Sequence, residues 1–291
     1  MKKTKTDFII GDKWIFYKIF CGPNDAEYIL CESIQPVINQ LFEQKIIRKW
    51  FYIRYNVPSN HLRIRFELTS QDKIGELISI IYKTLSPFYK TDLIGDIEIS
   101  TYKREIQRYV NGTIKIAEKI FYYDSEIILH FLSSQYQIDQ NKKNRWLYGL
   151  KIIDYYLECF KISIDQKVVL METWKDNFAY EFGMNTIMKK QLEKKYRIFQ
   201  SDIDKYLNAS ILFHDNSNSN REKLANNIHE LRAKTKNLSY TELTTMIQSY
   251  IHMSLNRLFS SNNRKYELVC YYFLFRSYRS QIAMQKHHKQ K

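Results

Sequence analysis

Arg63 and Arg65 stand two apart in the stretch Trp50–Phe66, WFYIRYNVPSNHLRIRF. Two apolar runs alternate with charge at period two around a Pro-Ser-Asn break, which reads as strand, turn and strand. In the second strand Leu62, Ile64 and Phe66 face one way, and His61, Arg63 and Arg65 face the other. The two arginines then lie about 7 Å apart at the usual rise per residue. A guanidinium is not neutralised by deprotonation, and its donor fork matches carboxylates. Such a pair expects an acidic partner; the blander account is two solvated arginines on a wet sheet face. Glu105 and Arg108 make a second charged set, three apart. If the chain turns helical there, they share one helix face, and an ordinary ion pair is the simplest account. His252 lies in SYIHMSLNRLF, with Asn256 and Phe259 at i+4 and i+7 and Arg257 beside that face. An imidazole can take and return a proton near neutral pH, although a lone helical histidine is more often a packing residue.

The elements that must position these groups follow from periodicity and breakers. Lys13–Phe20 reads as a strand closed by Cys-Gly-Pro, and Asn24 or Asp25 can cap a helix over Ala26–Arg48. Pro36 inside that pattern predicts a kink or a break. Asp72–Leu85 reads as a helix stopped by Pro87, and Asp96–Tyr102 as another strand. Beyond these come amphipathic helices over Ile114–Leu132, Arg145–Cys159, Asp165–Phe178, Thr186–Leu207, Arg221–Ala233, Thr241–Phe259 and Arg264–Ser280, with Asn216–Asn220 as an exposed connection. All four prolines precede residue 90, and Gly183 is the one glycine after residue 150. The expected fold is therefore α+β: a small antiparallel sheet of three or four strands packed with helices in 1–135, then a mostly α-helical part over 136–291, read as one domain.

Composition sets limits. A chain of 291 residues with 44% hydrophobic and 15% aromatic content can bury a real core. A net charge of +14 suggests an acidic partner, though lysines spread along helices are usually a solvated surface. Cys21, Cys31, Cys159 and Cys270 form no CxxC, and Met1–Asp7 is too polar for a secretory segment, so reduced thiols in a cytoplasmic protein are expected. No apolar run reaches the ~20 residues of a membrane span. Phosphate-cradling glycine loops, HExxH, close Cys/His ligand sets and GxSxG are missing, which argues against nucleotide, metal and nucleophile-elbow chemistry.

Four stretches taken in order, WIFYKIFCGP, WFYIRYNVPSNHLRIRF, STYKREIQRYVNGTIKIAEKIFYYDSE and IHMSLNRLF, resemble the C-terminal domain of lantibiotic dehydratases, also found alone as the thiopeptide-type bacteriocin biosynthesis domain. The match covers most of 12–135 and a piece near 245–260. The resemblance implies action on a ribosomally made precursor peptide whose Ser or Thr has been glutamylated by a separate protein. Glutamate would be eliminated to leave dehydroalanine or dehydrobutyrine. At this length the chain is expected to be a split eliminase, needing no cofactor, no metal, no membrane and no tRNA of its own; a homodimer is an open option.

Residues carry over where the pattern fits. The RLR-type pair falls on Arg63 and Arg65, the E-x-x-R element on Glu105 and Arg108, and the histidine of an H-M-x-x-x-N-R setting on His252. The family commonly reads Arg-Tyr-Gly-Gly where this chain has Arg108-Tyr109-Val110-Asn111-Gly112, which shifts the glycine. The implied roles are His252 as general acid/base and Arg63, Arg65 and Arg108 on the glutamyl carboxylates or the enolate. Glu105 would orient an arginine or serve as an alternative base. His61, Arg104, Asn256 and Arg257 would help bind substrate. Two rivals stand beside this: a [4+2] pyridine synthase within the family, whose branch tends to lack the Arg/His set, and a non-catalytic protein holding an acidic leader peptide or nucleic acid.

Overall fold

A computed structural model describes residues 4–110, 112–138, 145–209 and 218–289. Six strands come first: β1 (Asp7–Phe8), β2 (Trp14–Phe20), β3 (Ile47–Tyr55), β4 (His61–Leu68), β5 (Asp96–Ser100) and β6 (Tyr102–Lys103). Between them lie α1 (Pro23–Ile29), α2 (Gln35–Glu43) and α3 (Ile74–Lys90). Then follow α4 (Ile114–Ile138), α5 (Arg145–Cys159), α6 (Ile164–Glu181), α7 (Thr186–Asn208), α8 (Asn218–Lys234), α9 (Tyr240–Leu258) and α10 (Asn263–Lys289). The architecture is α+β. An antiparallel sheet of order β3-β4-β2-β5 and a ribbon of β1 with β6 are followed by helices.

Four local departures from the periodicity have physical causes. The helix expected over Ala26–Arg48 is broken by a π-helical turn at Leu30–Ile34, and Pro36 takes the first turn of α2, where its missing N–H costs least. That helix also ends at Glu43 rather than Arg48. Lys45 adopts φ 54°, the Ile46 N–H bonds to the Leu41 carbonyl at 2.9 Å and the Lys45 N–H to the Phe42 carbonyl at 3.0 Å. This is a Schellman stop without the usual glycine, so no breaker marked it. Pro87 does not stop α3, which runs on to Lys90, because a proline in the last turn removes only one ladder bond. Finally, no helix begins at Tyr102. The strand expected over Asp96–Tyr102 divides, β5 pairing with β2 and β6 with β1, and a single 3-10 turn, Ile106–Arg108, follows. The expected Asn216–Asn220 connection lies partly outside the described residues, and Asn218–Asn220 open α8.

The chain forms two compact units. One holds the strands, α1–α4, α8 and Asn256–Ser261; the other holds α5–α7, α9 up to Leu255, and α10. In the first, α1 and α2 lie against β4 and β3, covering the sheet face that carries Ile15, Tyr17, Ile19, Leu62, Ile64 and Phe66. In the second, α10 runs beside α5, α6 and α7. Its core packs Tyr271 against Trp174 with ring centres 5.4 Å apart and Phe273 against Tyr196 at 5.9 Å, both pairs tilted. Buried Asp154 accepts from Lys167 at 2.6 Å and from the Tyr278 hydroxyl at 2.7 Å, so its charge is matched inside the unit.

Candidate active-site residues

The opposite face of the sheet carries His61, Arg63 and Arg65, as the alternation requires, but it is not a wet face. Strand register sets Arg65 between Phe16 of β2 and Phe51 of β3. Its guanidinium carbon lies 4.4 Å from the Phe16 ring centre, 5.3 Å from Phe51 and 5.0 Å from Tyr102. Arg65 is buried, and its Nε and Nη1 have no hydrogen-bond partner. Among the described residues no carboxylate lies within ion-pair distance of it. Burial pushes this guanidinium down to about 10; the charges of Arg63 and Arg257 act in the same direction, against Tyr102 and Glu105. A buried cation with spare donors is a costly feature, and it supplies what an anion needs.

Next on the strand, Arg63 stacks on Tyr55, its guanidinium carbon 3.5 Å from the ring centre, and donates from Nε to His61 Nε2 at 3.0 Å. His61 Nδ1 lies 2.7 Å from the Ser59 carbonyl, so it carries the proton while Nε2 accepts. Burial lowers the His61 pKa, opposed by the Ser59 bond and reinforced by Arg63. The ring is thus held neutral as a support for Arg63.

Glu105 and Arg108 pair at 3.0 Å across the 3-10 turn, with side chains 61% and 62% exposed. Tyr109, which follows, is buried, and its phenol is pushed up to about 12 by burial, with the charges of Arg257, Glu105, Arg108 and Arg65 all acting on it. The RLR pair, the E-x-x-R element and Arg257 therefore belong to one electrostatic neighbourhood in the first unit. Tyr109 and the Phe16–Phe51–Tyr102 cage were not anticipated. Two of the cage's rings were readable in principle, since pairing β2, β3 and β4 in register puts Phe16 and Phe51 beside Arg65, whereas Tyr102 comes from β6. The shifted glycine of the Arg108-Tyr109-Val110-Asn111-Gly112 run is Gly112, at φ 83°; Asn111 lies outside the described residues.

Three residues assigned to substrate binding have polar atoms already engaged. Arg104 makes a side-on pair with buried Glu118, Nε to Oε1 and Nη2 to Oε2 both at 2.6 Å, and donates to the Lys5 carbonyl at 2.9 Å. Asn256 accepts from the Arg54 N–H and donates to the Arg54 carbonyl, both at 2.9 Å, taking the place of a neighbouring strand on the open edge of β3. Arg257 is 1% exposed, donating to Asp124 at 2.8 Å and to the Ser125 hydroxyl at 3.0 Å. Its carbonyl accepts from Arg54 Nε at 3.1 Å.

His252 belongs to the second unit. Its Nδ1 meets Oε1 of Glu267, a carboxylate 1% exposed on α10, and the imidazole itself is half-buried. No group of three or more His, Cys, Asp or Glu among the described residues is arranged to hold a metal ion. No helix among them is long and apolar enough to cross a membrane.

The first unit, α+β, thus carries a caged arginine on its sheet, and the second a carboxylate-linked histidine on α9. The chain belongs to the lantibiotic biosynthesis dehydratase C-terminal family, whose profile matches residues 14–278. It is 24% identical over 257 residues to the subtilin biosynthesis protein SpaB of Bacillus subtilis, covering 86% of this chain and 24% of that one. It is 24% identical over 244 residues to the epidermin biosynthesis protein EpiB of Staphylococcus epidermidis, covering 82% and 23%. The chain thus spans about a quarter of the length of these curated relatives. Its fold is similar to that of the tRNA-dependent lantibiotic dehydratase MibB from Microbispora sp. 107891, with TM-score 0.70 at 15% identity over 99% of this chain and 29% of that one. It is also similar to the pyridine synthase TbtD from thiomuracin biosynthesis, with TM-score 0.65 at 10% identity over 92% and 98%, and to TsrL, with TM-score 0.63 at 12% identity over 96% of each.

Proposed function

We propose that this chain eliminates glutamate from glutamylated Ser or Thr of a ribosomally made precursor peptide, working after a separate glutamylating protein, in lantibiotic or thiopeptide biosynthesis. The observation that carries the reading is Arg65, a buried cation with unfilled donors and, among the described residues, no carboxylate of its own. In the reaction a base removes the Cα proton, its electron pair forms the Cα=Cβ bond, and the Cβ–O bond breaks. Glutamate leaves as a carboxylate, giving dehydroalanine or dehydrobutyrine. Negative charge grows on the peptide carbonyl and on the leaving oxygen, and guanidinium donors already desolvated in an aromatic cage stabilise it without reorganisation. Arg65 and Arg63 take this part; Arg108, released from Glu105 by a competing carboxylate, adds to it. His252 takes the Cα proton. The roles proposed for Arg104 and Asn256 narrow to support, since their donors are engaged within the first unit, and Arg257 is held in place by Asp124 and Ser125.

The test is elimination from purified glutamylated precursor, read as loss of the glutamyl mass. Arg65→Ala and His252→Ala should leave the adduct attached, at a rate down by about 100-fold or more. Normal dehydration by both variants refutes the assignment. The fold of TbtD, matched over 98% of its length, gives a second reading, ring-forming cycloaddition. Incubation with an already dehydrated linear peptide separates the two, because cycloaddition expels the leader and elimination does not.

A further inference from the structure

Behind His252 lies Glu267, a buried carboxylate on α10. We propose that Glu267 is a positioning residue for His252, fixing the imidazole with its proton on Nδ1 and its Nε2 lone pair presented to the substrate's Cα proton. The catalytic consequence rests on the glutamate-elimination reading; the pairing itself rests on geometry. Glu267 is 1% exposed, and a carboxylate so buried must find partners. It has two: His252 Nδ1 on Oε1, and Arg264 Nη1 at 3.9 Å from Oε2. An ionised carboxylate only accepts, so the shared proton sits on the ring nitrogen. Nε2 then holds the lone pair, and among the described residues it has no hydrogen-bond partner. One nitrogen is committed to a buried anchor and the other is left for chemistry. When Nε2 takes the substrate proton, the imidazolium formed faces a fixed negative charge, so Glu267 stabilises the charge as it develops.

A merely structural ion pair tying α9 to α10 would also explain the contact, and the experiment divides the two. The full chain is labelled with 15N, and the His252 ring signals are assigned by their loss in His252→Gln. On the alkaline side, where the imidazole is neutral, the parent should carry its proton on Nδ1, the reverse of free histidine. In Glu267→Gln that preference should be lost and elimination kcat should fall by about 10- to 100-fold with KM unchanged. Glu267→Asp should recover part of the rate. A parent ring protonated on Nε2, or a folded Glu267→Gln variant with normal kcat, overturns the proposal. Should that variant not fold, the parent spectrum decides by itself. If elimination survives His252→Ala, the function reading and the catalytic half of this proposal fall, while the tautomer result still tests the pairing.

Discussion

A guanidinium sealed under three rings with two donors unfilled does not hold a fold together. Removing a cation from water costs several kcal/mol, and stacking on Phe16, Phe51 and Tyr102 returns only part of that. Arg65→Met keeps the bulk and drops the charge. Its stability in urea should equal the parent's or exceed it by about 1–2 kcal/mol, while elimination is lost. A loss of more than about 2 kcal/mol would mean that the cage is built for the arginine rather than the arginine for a ligand. Arg104 is the opposite case, with every charge matched by Glu118. The sequence distinguished the two poorly, because both are arginines in basic, aromatic surroundings. What separates them is Glu118, a carboxylate fourteen residues on, and no spacing rule reveals that it points at Arg104 rather than Arg65. Nor does any rule tie Glu267 to His252 across two helices. The alternation that put Arg63 and Arg65 on one face was legible, and so was the histidine; the partners that decide each group's state were not.

The edge of β3 shows what a few side chains do for an element. With β4 on one side only, β3 offers unpaired backbone groups to its other side. The Tyr52 N–H is met by the Ser125 hydroxyl of α4 at 3.3 Å, and both polar groups of Arg54 are met by Asn256. Arg257, next in the chain, is anchored on Asp124 and Ser125. The Asn-Arg pair is thus a clamp that closes a sheet edge. Asn256→Ala should cost about 2–3 kcal/mol, two hydrogen bonds with their partners left exposed to poor alternatives, and the Arg54 amide should lose its protection from hydrogen exchange. An unchanged exchange rate at Arg54 would show that another group pairs the edge. Periodicity found β2, β3, β4 and nearly every long helix, because a buried stripe repeats over several turns. It failed where one residue decides: the left-handed Lys45, the tolerated Pro87, and the two-residue strands β1 and β6, too short to show any period.

A chain of 291 residues divided into two compact units would ordinarily be expected to unfold in two steps. The connectivity argues otherwise. The chain returns to the first unit for α8 and again for Asn256–Ser261, so neither unit is a continuous piece of sequence. Helix α9 runs unbroken from Tyr240 to Leu258 and changes unit at Asn256. Its C-terminal half carries His252, paired with Glu267 of the second unit, and then Arg257, paired with Asp124 of the first, both acids buried. Each ion pair has both partners in one unit, so melting that unit releases the pair together; what the other unit would lose is part of α9, a helix that must then fray. A helix shared in this way loses its last turn or its earlier ones if either unit melts alone, so partial unfolding should be scarce. The four tryptophans test this without mutation, Trp14 and Trp50 lying in the first unit and Trp146 and Trp174 in the second. With 5-fluorotryptophan incorporated, 19F signals from the two pairs should lose intensity at the same urea concentration. Midpoints that differ between the pairs would mean that α9 does not couple the units, and that each stands on its own core.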